Sequence, residues 1–306
     1  MTLQDETILI TGPASQVGFP VARALASRNR VFGLARFSKA EDRERVEALG
    51  VEPVQADLAR DSLDRVPDDV SIVLHFAVAK SGDFAADLEA NAEGAGRLLA
   101  RCPRARAFLH CSSGGVYAYE GQKLHAEGDA LGDNHRGMMP TYSIAKIAAE
   151  TVVRFACREH GVPTTIARLS VPYGDNGGWP WYHLMMMKAG VPIPIHPDGP
   201  NRYNLIHEDD IVAMLPGLLE IASVPATTVN WGSDEPTALE DWCAYLGELT
   251  GLEPRFDVTE KSLGALALDT ARLRERVGST RVDWRDGIRR MVEARNPELL
   301  QGSDSD

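Results

Sequence analysis

A tyrosine and a lysine stand four residues apart in the segment TYSIAKIAAE, residues 141–150. On an α-helix this spacing places Tyr142 and Lys146 on one face, one turn apart. A free phenol has a pKa near 10 and is a poor base at neutral pH, so it needs nearby positive charge to favour the phenolate. Lowering that pKa by about 3 units requires about 4 kcal/mol of differential stabilisation. The pair therefore predicts proton transfer by Tyr142, assisted by Lys146.

A serine at the end of an apolar run could complete this set. The run ARAFLHCSS (105–113) leads into CSSGGVY (111–117), about thirty residues before the tyrosine. The Ser113 hydroxyl would hold the reacting oxygen while Tyr142 passes a proton. The alternative is an amphipathic helix whose tyrosine and lysine only share a face, and the motifs elsewhere in the chain disfavour it.

A glycine loop follows the first apolar run, in TILITGPASQVG. Gly12 and Gly18 stand where a dinucleotide-binding turn needs them. Ser15 takes the middle position and could donate a hydrogen bond to a phosphate. This loop predicts cofactor contacts from Gly12, Ser15, Gln16, Val17 and Gly18. A purely structural turn is the alternative.

The next apolar run, VFGLA (31–35), ends at Arg36, with Lys39 and Arg43 close behind. Enzymes that bind NAD usually carry an acidic residue here, whereas an arginine would pair with a 2′-phosphate. We therefore expect NADP, with NAD possible. Asp57 and Leu58 are placed to meet the adenine. A solvated basic cluster at a loop is the alternative for Arg36.

Apolar runs and helical patterns alternate through the first half of the chain, which favours a doubly wound parallel sheet of Rossmann type. We expect a dinucleotide-binding domain over residues 1–170, with a returning segment at about 201–233 that includes the strand TTVNWGS (227–233). A smaller C-terminal α/β substrate-binding region would take residues 171–200 and 234–298. Residues 299–306 would form a disordered tail.

The segment after Ser170 is rich in Pro, Gly, Trp and Met and suggests loop and pocket wall. Its stretch WPWYHLMMM (179–187), with Trp179 as a candidate substrate contact, suits an apolar or flexible substrate. A buried helix face is an equal alternative. Residues 237–251 predict a helix with Thr237 as its cap and Glu240 completing a capping box.

The composition and charge of the chain limit the classes of binding partner. The 306 residues carry 32 basic and 44 acidic side chains, a formal charge of −12, without a basic stripe, which disfavours nucleic acid and anionic membranes. No signal peptide or membrane span is evident. The four cysteines lack metal-type spacing, so we expect reduced thiols, no metal site and a cytoplasmic protein.

The sequence resembles the extended short-chain dehydrogenases/reductases of the NAD-dependent epimerase/dehydratase superfamily over nearly its whole length. The resemblance rests on TGPASQVG, ADL (56–58), HFAVA (75–79), NAEGAGRLL (91–99), SSGGVY, YSIAK, RLSVPYG (168–174) and NLIHEDDIV (204–212). It implies that Tyr142 and Lys146 are the catalytic pair and that Ser113 holds the substrate. It also implies cofactor contacts at Ala77, Val171 and Pro172, a structural role for Asn91, and a homodimer.

Departures from the family pattern bear on the reaction. The 4,6-dehydratases of the superfamily carry an Asp-Glu pair where this chain has Gly114 and Gly115, so water elimination lacks its acid and base. Val171 replaces a common asparagine, and EKSLGALALD (260–269) has no arginine to clamp a nucleotide diphosphate. Gly114 stays a candidate substrate contact, and Arg202 is either an anion contact or a loop salt bridge.

Three functions remain open from the sequence. The first is net hydride transfer between NADP(H) and a small-molecule carbonyl or hydroxyl substrate. The second is a nucleotide-sugar epimerase that retains NAD(P). The third is a non-catalytic NADP(H) sensor, which the intact set of Ser113, Tyr142 and Lys146 disfavours. We expect net oxidation or reduction, because the sequence shows neither the polar residue nor the arginine that would anchor a nucleotide in an epimerase.

Overall fold

The computed structural model describes residues 3–301 as alternating strands and helices. The strands are β1 (Thr7–Thr11), β2 (Arg30–Ala35), β3 (Glu52–Gln55), β4 (Ile72–His75), β5 (Ala107–Ser113), β6 (Leu124–His125), β7 (Thr164–Leu169), β8 (Val171–Gly174), β9 (Gly177–Gly178), β10 (Ile193–Ile195), β11 (Arg202–Tyr203), β12 (Leu205–His207), β13 (Thr227–Trp231), β14 (Thr237–Ala238), β15 (Phe256–Val258) and β16 (Ala267–Leu268). The helices are α1 (Gly18–Ala26), α2 (Ala40–Glu47), α3 (Phe84–Leu88), α4 (Gly94–Arg101), α5 (Tyr142–His160), α6 (Trp179–Lys188), α7 (Glu208–Glu220), α8 (Leu239–Thr250), α9 (Ala271–Arg276) and α10 (Trp284–Arg295). A π-helical turn (Glu89–Glu93) joins α3 to α4, and 3₁₀ turns occupy Gly114–Val116 and Pro297–Leu299.

Seven strands form a parallel sheet in the order β3-β2-β1-β4-β5-β7-β13. The chain runs outward from β1 to β3 on one side and from β4 to β13 on the other. The carboxyl ends of β1 and β4 therefore flank the point where the strand order reverses, and ligands of such sheets bind there. The predicted doubly wound, Rossmann-type sheet is confirmed, and the strand predicted at 227–233 is its edge strand β13.

Apolar side chains on both faces of the sheet explain why these segments become buried strands. In β1, Ile8 and Ile10 pack with α1 and α7, whereas Leu9 points to the opposite face and packs with α4 and α5. This alternation is the period-two pattern of a strand, repeated under two helical layers. The sheet is therefore covered on both sides, and polar groups are left to its carboxyl edge.

A third apolar cluster holds the smaller region together. It joins α6, α8 and α10 to β8, with Leu184, Trp242 and Ile288 at its centre. Leu299 and Leu300 pack against this cluster, and the Gln301 N–H donates to Leu249 O at 2.8 Å. The expected disordered tail therefore does not begin at residue 299, and residues 302–306 lie outside the described part of the chain.

Two local predictions in the C-terminal half are wrong. Residues 179–188 form the helix α6 instead of loop, with Leu184 and Met187 buried in the third cluster, so most of the supposed pocket wall is core. The predicted capping box is also absent, because Thr237 lies in β14. The Glu240 carboxylate instead accepts from the backbone N–H and side-chain amide of Asn201.

A buried ion pair fixes α5 against the sheet. Arg168 of β7 donates to both carboxylate oxygens of Glu150 of α5, each at 2.8 Å, and both side chains are 2% exposed. Ser112 of β5 donates to the same carboxylate at 2.7 Å, and Arg168 also donates to the Tyr117 hydroxyl at 2.9 Å. Burial alone would raise the pKa of the Glu150 carboxyl, but its bonds to Arg168 and Ser112 hold that pKa below its ordinary value.

We predict that Glu150→Gln lowers the free energy of unfolding by about 3–5 kcal/mol, because the Arg168 charge stays buried without its partner. The ionised carboxylate stabilises the fold above the ordinary glutamate pKa of about 4.3, and this contribution is lost as the pH falls through the lower folded pKa. Urea unfolding at neutral and acidic pH measures both effects, and the gap between wild type and variant should narrow in acid. Glu47→Gln, in the exposed pair with Arg43, is the control. Equal effects of the two substitutions would contradict the role of the buried pair.

Candidate active site

The glycine loop makes a tight turn between β1 and α1. Gly12 has φ +66°, and a Cβ there would meet the Ala77 backbone at 3.2 Å. A Cβ on Gly18 would lie 2.2 Å from the Gly12 carbonyl oxygen. The Ser15 hydroxyl accepts from the Gly18 N–H at 3.0 Å, which leaves its own proton free to donate. The turn therefore has the close backbone packing that a dinucleotide site requires.

A cleft of about 370 Å³ opens where the strand order of the sheet reverses. It is lined by six of the predicted cofactor residues: Gly12, Ser15, Arg36, Asp57, Leu58 and Ala77. The other loop residues lie elsewhere: Val17 packs against the core, and Gly18 packs against Gly12. The shape and the glycine turn fit a dinucleotide lying along the carboxyl edge of the sheet.

Arg36 lies exposed at the end of β2, on the rim of this cleft. Within residues 3–301, no hydrogen bond or ion pair engages its guanidinium, whereas Arg43 is paired with Glu47 on α2. Arg60, which the sequence analysis did not single out, lines the same cleft. The Asp57 carboxylate accepts from the Ala59 N–H at 2.9 Å, so it also stabilises its own turn.

Two polar side chains hold the cleft's loop over residues 79–82. Asn91 accepts from the Ala79 N–H at 2.9 Å and donates to the Ala79 carbonyl at 2.8 Å, which is the structural role expected for it. Asp87 accepts from Ser81, from the Gly82 N–H and, at 2.6 Å, from the Thr141 hydroxyl. The Thr141 bond ties the start of α5, and hence Tyr142, to the cofactor cleft. The sequence analysis did not find Asp87.

The Ser113 and Tyr142 side chains line the same cavity. Ser113 ends β5, where its Oγ accepts from the Gly115 N–H at 3.0 Å, and its hydroxyl lies near enough to the Tyr142 phenol to lower the pKa of that phenol. Lys146 lies one turn along α5 and is 5% exposed, but its Nζ donates to the Cys111 carbonyl at 2.7 Å. Lys146 therefore fastens α5 to β5 directly beneath the two hydroxyls.

Burial dominates the electrostatics of Tyr142. It raises the pKa of the phenol to about 12, a rise that Ser113 opposes and Cys111 increases. Burial also lowers the pKa of the Lys146 ammonium. The protein alone thus holds Tyr142 as a neutral phenol, and the expected lowering of its pKa, by Lys146 together with a cationic nicotinamide ring, stays a prediction for the protein with cofactor. A cation bound beside the phenol would have to supply the opposite shift.

A second cavity, of about 180 Å³, adjoins these hydroxyls. The predicted residues that line it are Gln16, Ser113, Gly114, Tyr142, Val171, Pro172 and Trp179. Gln16 links the two sites, because its amide donates to the Pro172 carbonyl at 2.7 Å. Asn176 reinforces the link by donating to the Gln16 carbonyl at 3.0 Å. The glycine loop and the cavity wall are therefore one connected unit.

Other residues of this cavity escaped the sequence analysis. Its additional polar residues are Lys80, Asn134, His135 and Ser170, and Met139, Tyr203 and Leu266 add apolar surface. Lys80 could have been anticipated, since it follows the carboxyl end of β4. The loop carrying Asn134 and His135 has no hydrophobic periodicity from which its place in the fold could be predicted. Arg202 does not line the cavity; its guanidinium donates to the side chain and carbonyl of Gln122, each at 3.3 Å, so it makes no salt bridge there.

The described residues contain neither a metal-binding cluster nor a membrane-spanning helix. Between residues 3 and 301, no group of three or more His, Cys, Asp or Glu side chains is placed to hold a metal ion. The four cysteines are free and buried. None of the described helices combines the length and the apolar character needed to cross a bilayer.

Comparison with known proteins gives a family and a fold. The model of the NAD dependent epimerase/dehydratase family matches residues 8–232. A curated relative, a trifunctional UDP-glucose 4,6-dehydratase/UDP-4-keto-6-deoxy-D-glucose 3,5-epimerase/UDP-4-keto-L-rhamnose-reductase from Arabidopsis thaliana, is 26% identical over 331 residues. That alignment covers 97% of this chain but 48% of the relative, so the chain spans about half the length of that protein.

Solved structures share the fold at lower identity. UDP-glucuronic acid 4-epimerase from Bacillus cereus, in complex with UDP-glucuronic acid and NAD, has a TM-score of 0.81 and 19% identity, over 94% of this chain and 98% of that one. UDP-glucose 4-epimerase from Thermotoga maritima, with UDP-glucose, has a TM-score of 0.78 and 23% identity, over 96% and 99%. A dTDP-glucose 4,6-dehydratase from Streptomyces venezuelae, with NAD bound, has a TM-score of 0.79 and 20% identity, over 96% and 99%.

We predict that Gly18→Ala weakens nicotinamide cofactor binding by about tenfold or more. The added methyl group would lie 2.2 Å from the Gly12 carbonyl oxygen, so the turn must open. Fluorescence titration with NADH and NADPH measures the effect. Gly128→Ala is the matched control, because a Cβ at Gly128 meets nothing within 4 Å. Unchanged affinity in Gly18→Ala would show that this turn does not hold the cofactor.

Proposed function

Because the chain belongs to the NAD dependent epimerase/dehydratase family, we propose that it is a nicotinamide-dependent epimerase of a UDP-sugar. Tyr142 would take a proton from a sugar hydroxyl and later return it. The observation that carries the proposal is that Ser113 and Tyr142 line one cavity, which Gln16 joins to the glycine loop of the cofactor cleft. A nicotinamide bound in that cleft would accept and return a hydride.

The chain's own groups divide the remaining work. The Ser113 hydroxyl orients the reacting oxygen toward Tyr142, and the phenol moves the proton. Lys146, whose Nζ donates to the Cys111 carbonyl, would hold α5 in register against β5. Gly12, Ser15, Arg36, Asp57, Leu58 and Ala77 would hold the cofactor, and Val171 and Pro172 would flank its reacting end.

The substrate class is supported by the relatives. The two epimerase structures described above contain UDP-glucuronic acid and UDP-glucose, and the plant relative is named for reactions of UDP-sugars. These likenesses favour epimerisation over the plain reductase expected from the sequence. Water elimination is disfavoured, because Gly114 and Gly115 provide no carboxyl group in this cavity.

Net hydride transfer from NADPH is the second candidate, and Arg36 is the observation that favours it. An unengaged guanidinium on the cleft rim suits a 2′-phosphate, and cells keep NADPH mainly as a reductant. The two candidates share Tyr142 and the cofactor cleft. They differ in whether the hydride returns to the same substrate.

We predict that Tyr142→Phe removes nearly all turnover of the UDP-sugar while leaving folding and cofactor binding intact. Phenylalanine keeps the ring but lacks the transferable proton, and such catalysis contributes 10²–10⁴-fold. Turnover is followed by product formation from UDP-glucose, UDP-galactose and UDP-glucuronic acid. Tyr182→Phe, at an exposed tyrosine of α6, is the matched control. Retention of activity within about tenfold in Tyr142→Phe would refute the acid–base assignment.

We predict tighter binding of NADP than NAD, carried largely by Arg36. A charge-assisted bond to the 2′-phosphate supports about a tenfold or larger preference. Calorimetric titration of both cofactors into wild type and Arg36→Ala measures it, and the variant should lose affinity for NADP alone. Arg43→Ala is the control, because Arg43 is paired with Glu47. Equal affinities in the wild type would reverse the assignment to NAD.

A homodimer through α3 and α5 is also part of the proposal. Phe84 of α3 is 50% exposed and Phe155 of α5 is 61% exposed, which places two aromatic side chains on these helices in solvent. We predict that Phe155→Asp yields a monomer at micromolar concentration by light scattering. Tyr182→Asp on α6, whose side chain is 55% exposed, should leave the oligomeric state unchanged. A monomeric wild type would refute the dimer.

A further inference from the structure

The space of a side chain at position 115 is filled by a different residue. A Cβ built on Gly115 would lie 2.3 Å from Cε1, 2.6 Å from Nδ1 and 3.1 Å from Nε2 of His135. The imidazole thus lies directly over the Gly115 α-carbon. Its ring centroid is 5.1 Å from that of Tyr142. The turn after Ser113 carries no side chain into the cavity at this point because His135 supplies one from another loop.

Hydrogen bonds indicate which nitrogen of His135 carries the proton. The Ser143 hydroxyl donates to the Gly115 carbonyl at 2.6 Å and lies 3.4 Å from Nδ1. Since the only proton of Ser143 is engaged there, the Nδ1–H is assigned as the donor, which leaves Nε2 as an acceptor. Burial lowers the pKa of His135 to about 4, so the ring is neutral near pH 7.

Asn134 supplies the complementary group. Its Nδ2 is buried and has no hydrogen-bond partner within the described residues, and its side chain lines the same cavity as His135 and Tyr142. A buried amide donor without a partner is costly, so the arrangement favours a ligand that accepts from it. An imidazole acceptor beside an amide donor matches a hydroxyl group, which can both donate and accept.

We propose that His135 and Asn134 bind a substrate hydroxyl on a carbon near the one that Tyr142 acts on. This assignment rests on the proposed function and deepens it, because it requires a polyhydroxylated substrate. It also departs from the apolar substrate that the sequence suggested. His135 is then a specificity-determining contact, and Ser143 is the positioning residue that sets its tautomer.

The test combines substitution of His135 with removal of the substrate hydroxyl that it would bind. For wild type, His135→Ala and His135→Gln, kcat and KM are measured with UDP-glucose and with its 3-deoxy and 6-deoxy derivatives. With wild type, we expect kcat/KM to be about tenfold lower for one deoxy derivative than for UDP-glucose. With UDP-glucose, we expect kcat/KM of His135→Ala to be about tenfold lower than that of wild type. Removing the same hydroxyl should not lower kcat/KM of His135→Ala any further. His135→Gln, which keeps a polar side chain, should recover part of the loss. His160→Gln, at an exposed imidazole at the end of α5 and outside the cavity, is the control.

A substitution that pushes the imidazole aside gives a second test. Gly115→Ala should reproduce the His135→Ala phenotype, because its methyl group displaces the imidazole. Equal sensitivity of wild type and His135→Ala to every deoxy position would overturn the proposal. So would full activity of Gly115→Ala with UDP-glucose.

Nuclear magnetic resonance separates this inference from the proposed function. The His135 Cε1–H signal, assigned by its loss in His135→Gln, is followed in NAD-loaded protein as UDP-glucose or D-glucose is added. If no UDP-sugar is turned over but D-glucose shifts this signal, the proposed substrate is wrong and the hydroxyl site stands. If neither sugar shifts it, the hydroxyl site is wrong, whatever the turnover assay gives.

Discussion

The bidentate ion pair between Arg168 and Glu150 is the constraint on which the site depends. It joins β7 to α5, and Ser112 brings β5 into the same network. Ser112 is next to Ser113, and Glu150 lies two turns beyond Tyr142 on α5. The network therefore fixes the distance between the two hydroxyls that would share the reacting oxygen. A buried pair of this kind contributes little net stability over a well-packed apolar pair, but it tolerates only one register.

The protein and its cofactor would divide the electrostatic work at Tyr142. Burial holds the phenol neutral with a pKa of about 12. The Lys146 ammonium donates its hydrogen bond to the Cys111 carbonyl and not to the phenol. A positively charged ring bound beside Tyr142 would stabilise the phenolate in a poorly screened environment. The proton would then leave the substrate only when oxidised cofactor is present. This coupling follows from burial, which makes the phenol responsive to a single nearby charge.

Much of the fold could be predicted because its signals are local. Apolar runs predicted the regions of β1, β2 and β5, and the four-residue spacing of Tyr142 and Lys146 suited the helix α5 on which the structure places them. The glycine turn was recognisable because only glycine tolerates the close approaches at positions 12 and 18. The sequence left the α6 segment open between a pocket wall and a buried helix face, because its tryptophans and methionines suit both, and the structure favours the helix face. Thr237 does not cap α8, because it pairs with Tyr203 of β11 as part of strand β14.

The missing parts of the site depend on contacts between distant segments. His135 reaches the cavity only because position 115 is glycine, and Asp87 joins α5 to the cofactor cleft only because the distant Thr141 hydroxyl donates to it. Neither relation has a sequence spacing that repeats. The predicted anion contact of Arg202 failed to appear in the cavity for the same reason, since Gln122 engages its guanidinium from another loop. Residues that act through long-range packing are therefore the ones that pattern analysis overlooks.

The central claim is that Tyr142 serves a reversible oxidation in which the hydride returns to the same sugar. The most direct measurement incubates the purified protein with UDP-glucose, UDP-galactose or UDP-glucuronic acid and NAD or NADP, following product stereochemistry and nicotinamide absorbance together. The account predicts inversion at one sugar carbon with no net change in the nicotinamide. Stoichiometric formation of NADH or NADPH with no inverted product would contradict it.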